Sequence, residues 1–249
     1  MTSSPPIADT DLVRQVMCDP TFHPHPSAFP IDGSTLRLRE QMARFSGPDT
    51  HPARRTTVMA LIDRIDPQLA EAISGELTDA ELARGGDAES VAAMVPTCTL
   101  ARVLELRCDH RSLVGDVEAV VRVIGRGERP TFASDAATDR LIGLAADPAD
   151  AVALASVLYQ NFDATSAAIR NAELARRDGT EPAPAVERTR RVATLPAAIG
   201  DRHVEAGEDV VLEIASAGAP FGVGPHECPG RVVAEAIVRG ATAALSPEG

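Results

Sequence analysis

Phe221-Gly222-Val223-Gly224-Pro225-His226-Glu227-Cys228-Pro229-Gly230 runs straight into Arg231 to Leu245, whose apolar spacing predicts a helix. A cysteine that closes a tight glycine loop at a helix N-terminus has a physical use. Backbone N–H groups and the helix dipole lower a thiol pKa and stabilise the thiolate. Glycines at Gly222, Gly224 and Gly230 let the backbone pass close under a flat group, because no Cβ stands in the way. Pro229 has no N–H, so one hydrogen bond to the sulfur is forfeited and the sulfur stays more electron-rich. The bland alternative is a glycine-rich turn carrying a structural or idle cysteine.

Outward from this loop, the chain of 249 residues is long enough for one domain with a real core, over residues 1 to 249. Aromatic residues make up 3% and Trp is absent, so Ala, Val, Leu and Ile must fill that core, which suits closely packed helices. A net charge of −12 argues against a nucleic-acid partner. No apolar stretch is long enough to span a membrane and the first residues do not read as a signal peptide, so a cytoplasmic location is expected. Four cysteines, Cys18, Cys98, Cys108 and Cys228, are too sparse for a disulfide framework. Cys98 and Cys108 lack the paired spacing of a zinc site. His23-Pro24-His25 reads as a loop, and Asp109-His110 has no nucleophile motif beside it.

The first fifty residues are punctuated by Pro and Gly and predict one short helix, Asp11 to Cys18, followed by extended or turn segments. Helical spacing follows from Pro52 to Ile65, Leu69 to Arg84 and Ala88 to Met94, and in two helices over Leu100 to Ile124 broken near Asp109. Gly125 to Asp135 reads as a loop. Asp147 to Arg177 is the longest periodic run, with Gly179 as its stop. A Pro-rich linker, a short charged helix over Val186 to Arg191, and a strand candidate within Val204 to Ile214 lead back to the cysteine loop.

Phe221, Gly224, Cys228 and Gly230 match the Phe-x-x-Gly-x-x-x-Cys-x-Gly signature of the cytochrome P-450 superfamily, and His226 matches its usual bacterial form. Upstream, His51-Pro52-Ala53-Arg54-Arg55 resembles the family's His-x-x-x-Arg at the start of its C helix. A spacing of four sets His51 and Arg55 on one helical face. Glu187 and Arg190 fit the family's K-helix Glu-x-x-Arg, with Arg188 and Arg191 as an alternative register, and Val204 to Val210 resembles a strand entry. The resemblance implies a mainly α fold with a small β component. It also implies haem b (iron protoporphyrin IX) on Cys228 as the metal ligand, with His226, His51 and Arg55 holding its propionates. Asp147 to Arg177 would be the long distal helix, with Asp163 as the acid of its catalytic pair.

Departures from the family pattern bear on the chemistry. The alcohol expected after the acid is Ala164, and Thr165 stands one step on, about 100° around the helix. The stretches that would supply the F/G roof and the meander are short, which implies a reduced fold. Its open distal pocket would be covered by a second copy of the chain, as a homodimer, or by a partner. Cys-Pro at the ligand resembles haem-thiolate peroxygenases and chloroperoxidase. The function implied is a haem-thiolate oxidoreductase, a monooxygenase or peroxygenase, acting on a small organic molecule. Its oxidant would come by a ferredoxin-type donor, docked on Arg188, Arg190, Arg191 and Arg231, or as hydrogen peroxide. The alternatives are a non-catalytic haem-binding or regulatory protein, and a haem-free scaffold.

Overall fold

A computed structural model describes residues 5–246. Nine α-helices and five short strands stand among them: α1 Thr10–Cys18, β1 Phe22–Pro24, α2 Gly33–Gln41, α3 His51–Ile62, α4 Pro67–Ala83, α5 Ala88–Val103, α6 His110–Ile124, α7 Phe132–Ile142, α8 Ala151–Asp178, β2 Thr189–Ala193, β3 Ala197–Ile199, β4 Arg202–Val204, β5 Asp209–Leu212 and α9 Arg231–Leu245. The chain is thus mainly α with a small β part, as its periodicity and the resemblance lead one to expect.

Local chemistry explains most helix starts. Asp66 accepts from the Gln68 N–H ahead of α4, with Pro67 in the first turn, where its missing N–H costs nothing. Asp109 caps α6 through the Ser112 N–H, which is why the apolar run breaks there. Reciprocal capping boxes, Asp87 with Ser90 and Thr131 with Ser134, open α5 and α7. Gly179 ends α8 in the left-handed region, at φ 65°.

Helices α4, α5, α8 and α9 pack together as a bundle. The α4–α9 crossing is close: a Cβ on Gly240 would stand 2.1 Å from the Glu71 carbonyl oxygen. The main core joins Val58 and Leu61 of α3, Leu100 and Ala101 of α5, Val117 and Val121 of α6 and Leu158 of α8. A second core lies under the β part, where Val13 and Val16 of α1 meet Phe22, Val204, Val210 and Leu212. The sheet order is β1-β2-β5, all antiparallel, and β3-β4 form a separate hairpin.

Four sequence expectations are corrected. Val186 to Arg191 is not a helix: Thr189–Ala193 is β2, with Arg191 paired to Val210, so Glu187 and Arg190 form no helical pair. Arg188 instead bridges to Glu213 at 2.8 Å. Here sheet pairing on both sides overrides a charged stretch with only weak helical spacing. Second, α5 does not stop at Met94 but runs through Pro96 to Val103. Val95, Cys98, Leu100 and Ala101 are all buried, and that packing outweighs the proline's cost of about 3 kcal/mol. Third, α2 and α7 stand where turns or no element were expected; they pack on each other, with Asp135 of α7 accepting from the Thr35 N–H at 2.8 Å. Fourth, the strand candidate Val204 to Ile214 is divided: Val204 ends β4, which pairs with β3, and Asp209–Leu212 is β5, which pairs with β2.

Candidate functional site

Between β5 and α9 the chain makes a series of tight turns: Ala219 N–H to Ile214 O, Gly222 N–H to Ala219 O and Glu227 N–H to Gly224 O. Gly222 and Gly224 sit at φ 74° and 68°, in the left-handed region. A Cβ on Gly224 would also stand 2.6 Å from Cys18 Sγ of α1, so the position demands glycine twice over. The Cys228 N–H closes the loop on Phe221 O at 2.8 Å. The loop hands over to α9 at Gly230, and Arg231, the first residue of α9, lays its guanidinium 4.8 Å from the Phe221 ring centroid.

Cys228 is exposed, but to a cavity of about 1170 Å³ rather than to open surface. Burial by the surrounding walls pushes its thiol up, while the Gly230 N–H, Arg44 and Arg55 pull it down. Gly230 therefore supplies the backbone donor that Pro229 cannot. A metal cation at the sulfur would tip the balance to thiolate.

The same cavity gathers the other expected cofactor residues. His51, buried at the start of α3, stacks on His226 with centroids 4.1 Å apart. Arg55, one turn on, donates from Nη1 to Glu227 O at 2.7 Å, tying α3 to the cysteine loop across 172 residues. Phe221, Gly222 and Gly230 are in the lining as well. His226 is pushed down to about 3, first by burial and then by His51, Arg191, Arg55 and Arg44. Burial and Arg55 lower His51 too. Both imidazoles are therefore neutral N–H donors at pH 7, set among guanidinium charges.

Arg191, expected in a donor-docking patch, is corrected to a buried cavity residue that the motifs did not mark as a cofactor anchor. It is 7% exposed on β2, yet lines the cavity. Its Nη1 donates to Thr189 Oγ1 and Arg190 O, while its Nε has no partner among the described residues. Burial pushes it down to about 10. A buried guanidinium with an orphaned N–H and no carboxylate is costly unless an anion completes it. Together with Arg55, it forms a basic corner that fits a group with two carboxylates. A flat macrocycle bearing two propionates, its iron against Cys228, matches that donor set. Sequence gave a cue in Thr189 to Ala193, where alternation would have put Arg191 and Ala193 on one face.

The α8 wall is arranged differently from expectation. Gln160, Asn161, Ala164, Thr165 and Ala168 line the cavity, but Asp163 does not. Asp163 is exposed and paired with Arg126 at 3.0 Å, so the acid expected to act at the distal face is corrected to a position outside the cavity. Thr165 is buried in the wall; its hydroxyl donates to Asn161 Oδ1 at 2.7 Å, and Asn161 Nδ2 donates to Pro96 O at 2.9 Å. The end of α6, Val123 to Gly127, and the segment Pro24 to Phe29 supply further walls. No group of three or more metal-ligating side chains exists among the described residues, and no helix is long and apolar enough to cross a membrane.

No protein-family model and no curated protein matches the sequence. Solved structures do. P450BioI, in complex with an acyl carrier protein carrying hexadec-9Z-enoic acid, superposes with a TM-score of 0.72 at 14% identity, covering 94% of this chain and 82% of that one. The thermophilic cytochrome P450 of Sulfolobus tokodaii gives 0.71 at 16% identity, covering 96% and 85%. A mutant of P450 EryK with erythromycin B gives 0.68 at 18% identity, covering 95% and 81%. At such low identity the likeness is one of architecture, and it agrees with the cysteine loop, α3 and the long α8. The chain has the cytochrome P450 fold.

Proposed function

We propose that the protein is a haem-thiolate oxidoreductase acting on a small organic molecule. The observation that carries this reading is the meeting, in one cavity, of Cys228 with a basic corner that lacks its anions: Arg55, Arg191, His51 and His226. Haem bound there would supply one-electron and oxygen chemistry that no side chain can.

The protein's own part is positioning and electrostatics. Cys228 Sγ would hold the iron, with the Gly230 N–H tempering the sulfur's charge and Pro229 withholding a second donor. Arg55 and Arg191 would each meet a propionate, and the neutral His51 and His226 would donate N–H bonds beside them. The apolar part of the lining, including Val58, Leu100 and Val157, would limit water at the reacting face.

On α8, the Thr165 hydroxyl spends its proton on Asn161 and offers the cavity only lone pairs. With Asp163 outside, that wall presents no acidic side chain to the cavity. An oxidant that brings its own protons, hydrogen peroxide, suits this arrangement better than molecular oxygen with a ferredoxin-type donor. The reading is therefore of peroxygenase type.

The test is an absorption spectrum of protein produced with haem precursor present. A Soret band that red-shifts on reduction under CO is expected, and Cys228→Ala should abolish the shifted band. A purified protein without haem would overturn the assignment. With haem bound, peroxide should support turnover of a generic aromatic substrate, and Asp163→Asn should change that rate less than twofold.

A further inference from the structure

Seven arginines and two glutamates line the cavity, in a chain whose net charge is −12. The acidic surplus therefore lies elsewhere, and the cavity is a basic recess in an acidic molecule. Three of these arginines are answered by acids just outside the lining: Arg39 by Glu40, Arg126 by Asp163 and Arg239 by Glu71. On the haem-thiolate reading, Arg55 and Arg191 would be matched by the two carboxylates of the prosthetic group. Arg190 also lines the cavity but from an exposed position, on the opposite face of β2 from the buried Arg191.

Arg44 is left over. It follows α2, lies with its guanidinium carbon 5.8 Å from the Phe45 centroid, and makes no ion pair with any described residue. Arg39 covers the same ring at 4.2 Å, which fixes Phe45 between two cations. Arg44 is exposed and belongs to the cavity lining, as do its neighbours Ala43 and Phe45. The same cavity has an apolar part: Val58, Leu100, Val157, Ala164 and Ala168. A recess lined by one sign of charge on low-dielectric walls concentrates ligands of the other sign.

We propose that the substrate is a monocarboxylate with an apolar body, its carboxylate received by Arg44 and its body lying along the α5–α8 wall. This rests on the haem-thiolate reading, because the prosthetic group is what occupies Arg55 and Arg191. Arginine suits the task, since its planar fork meets a carboxylate bidentately while its stem packs on the ring beside it.

Equilibrium dialysis of the haem-loaded protein tests this without recourse to turnover. The probes are two matched pairs, octanoate with octanamide and 4-phenylbutyrate with 4-phenylbutyramide. At least one carboxylate should bind about tenfold or more tightly than its amide, and the preference should shrink as salt is raised. Arg44→Gln should erase the preference, leaving amide binding within about twofold, and Arg44→Lys should keep most of it. Absence of preference in the wild type, no binding of either carboxylate, or an undiminished preference in Arg44→Gln would overturn the proposal. So would an Arg44→Gln protein that simply fails to retain haem, which would assign this arginine to the prosthetic group. Haem content is read on each sample first. A wild type that takes up no haem defeats the parent reading, whereas a haem-loaded protein indifferent to charge defeats only this one.

Discussion

Arg191 illustrates how much a single buried charge can say. Its Nε–H is orphaned and its guanidinium is desolvated, so it weakens the empty protein while preparing the loaded one. Arg191→Gln should therefore have opposite effects in the two states. Without haem, the variant should gain about 1–2 kcal/mol, because an unpaired buried donor costs about that much. With haem, it should lose part of the stabilisation that ligand binding brings. Paired urea melts of both forms check this; equal shifts of one sign in both would dismiss the anchor role. Cys228, His51, Arg55 and His226 were legible through their resemblance to the family's motifs, because a loop motif and an i, i+4 pair carry their geometry within a few residues. Arg191 was not, because its burial depends on β1 and β5 closing over β2 from distant parts of the chain.

At the scale of elements, α4, α8 and α9 follow closely from their apolar spacing and caps, whereas α5 and the β part do not. The apolar spacing ended this helix at Met94, but α5 continues through Pro96 to Val103, with Val95, Cys98, Leu100 and Ala101 all buried. Replacing Pro96 by Ala should then raise stability, by about 1–3 kcal/mol, by restoring a helical N–H without disturbing Pro96 O, which Asn161 uses. A lowered urea midpoint would show instead that the proline ring is part of the packing. The α4–α9 crossing has the opposite sensitivity. A methyl at Gly240 meets the Glu71 carbonyl and Ser74 Oγ, so Gly240→Ala should cost about 1–3 kcal/mol, despite alanine's better helix propensity. Thr131→Ala, which removes only the α7 cap, should cost about 1 kcal/mol.

For the whole molecule, the site is a convergence of α3, β2, the cysteine loop and α8 on one cavity. That convergence predicts a pH response. The native state holds His226 well below its unfolded value of about 6.5, at about 3, and lowers His51 as well. The unfolded chain thus binds more protons than the native one across that range, and stability falls as pH falls from about 6.5 toward about 3. It is fully present above about 6.5. Two propionates beside these rings would offset the guanidinium charges and raise both native values. Thermal melts of haem-free protein should therefore lose more between pH 6.5 and pH 4 than melts of haem-loaded protein, and His226→Gln should flatten the haem-free profile. A haem-free profile as flat in the wild type as in the variant would contradict this account.

The sequence by itself determined the cysteine loop, its glycines, the α3 pair and the long helices. In each case the determining pattern is local: a loop of ten residues, a spacing of four, or a period of 3.6. Tertiary structure alone decided that Val186 to Arg191 gives way to a strand, that α5 crosses Pro96, that Asp163 faces Arg126 outside the cavity and that Arg191 faces into it. These depend on which face of an element is buried and against what, and that is settled by partners tens to hundreds of residues away. Cys228 could be read as a ligand from ten residues; the basic corner opposite it exists only once α3, β2 and the loop have closed on one another.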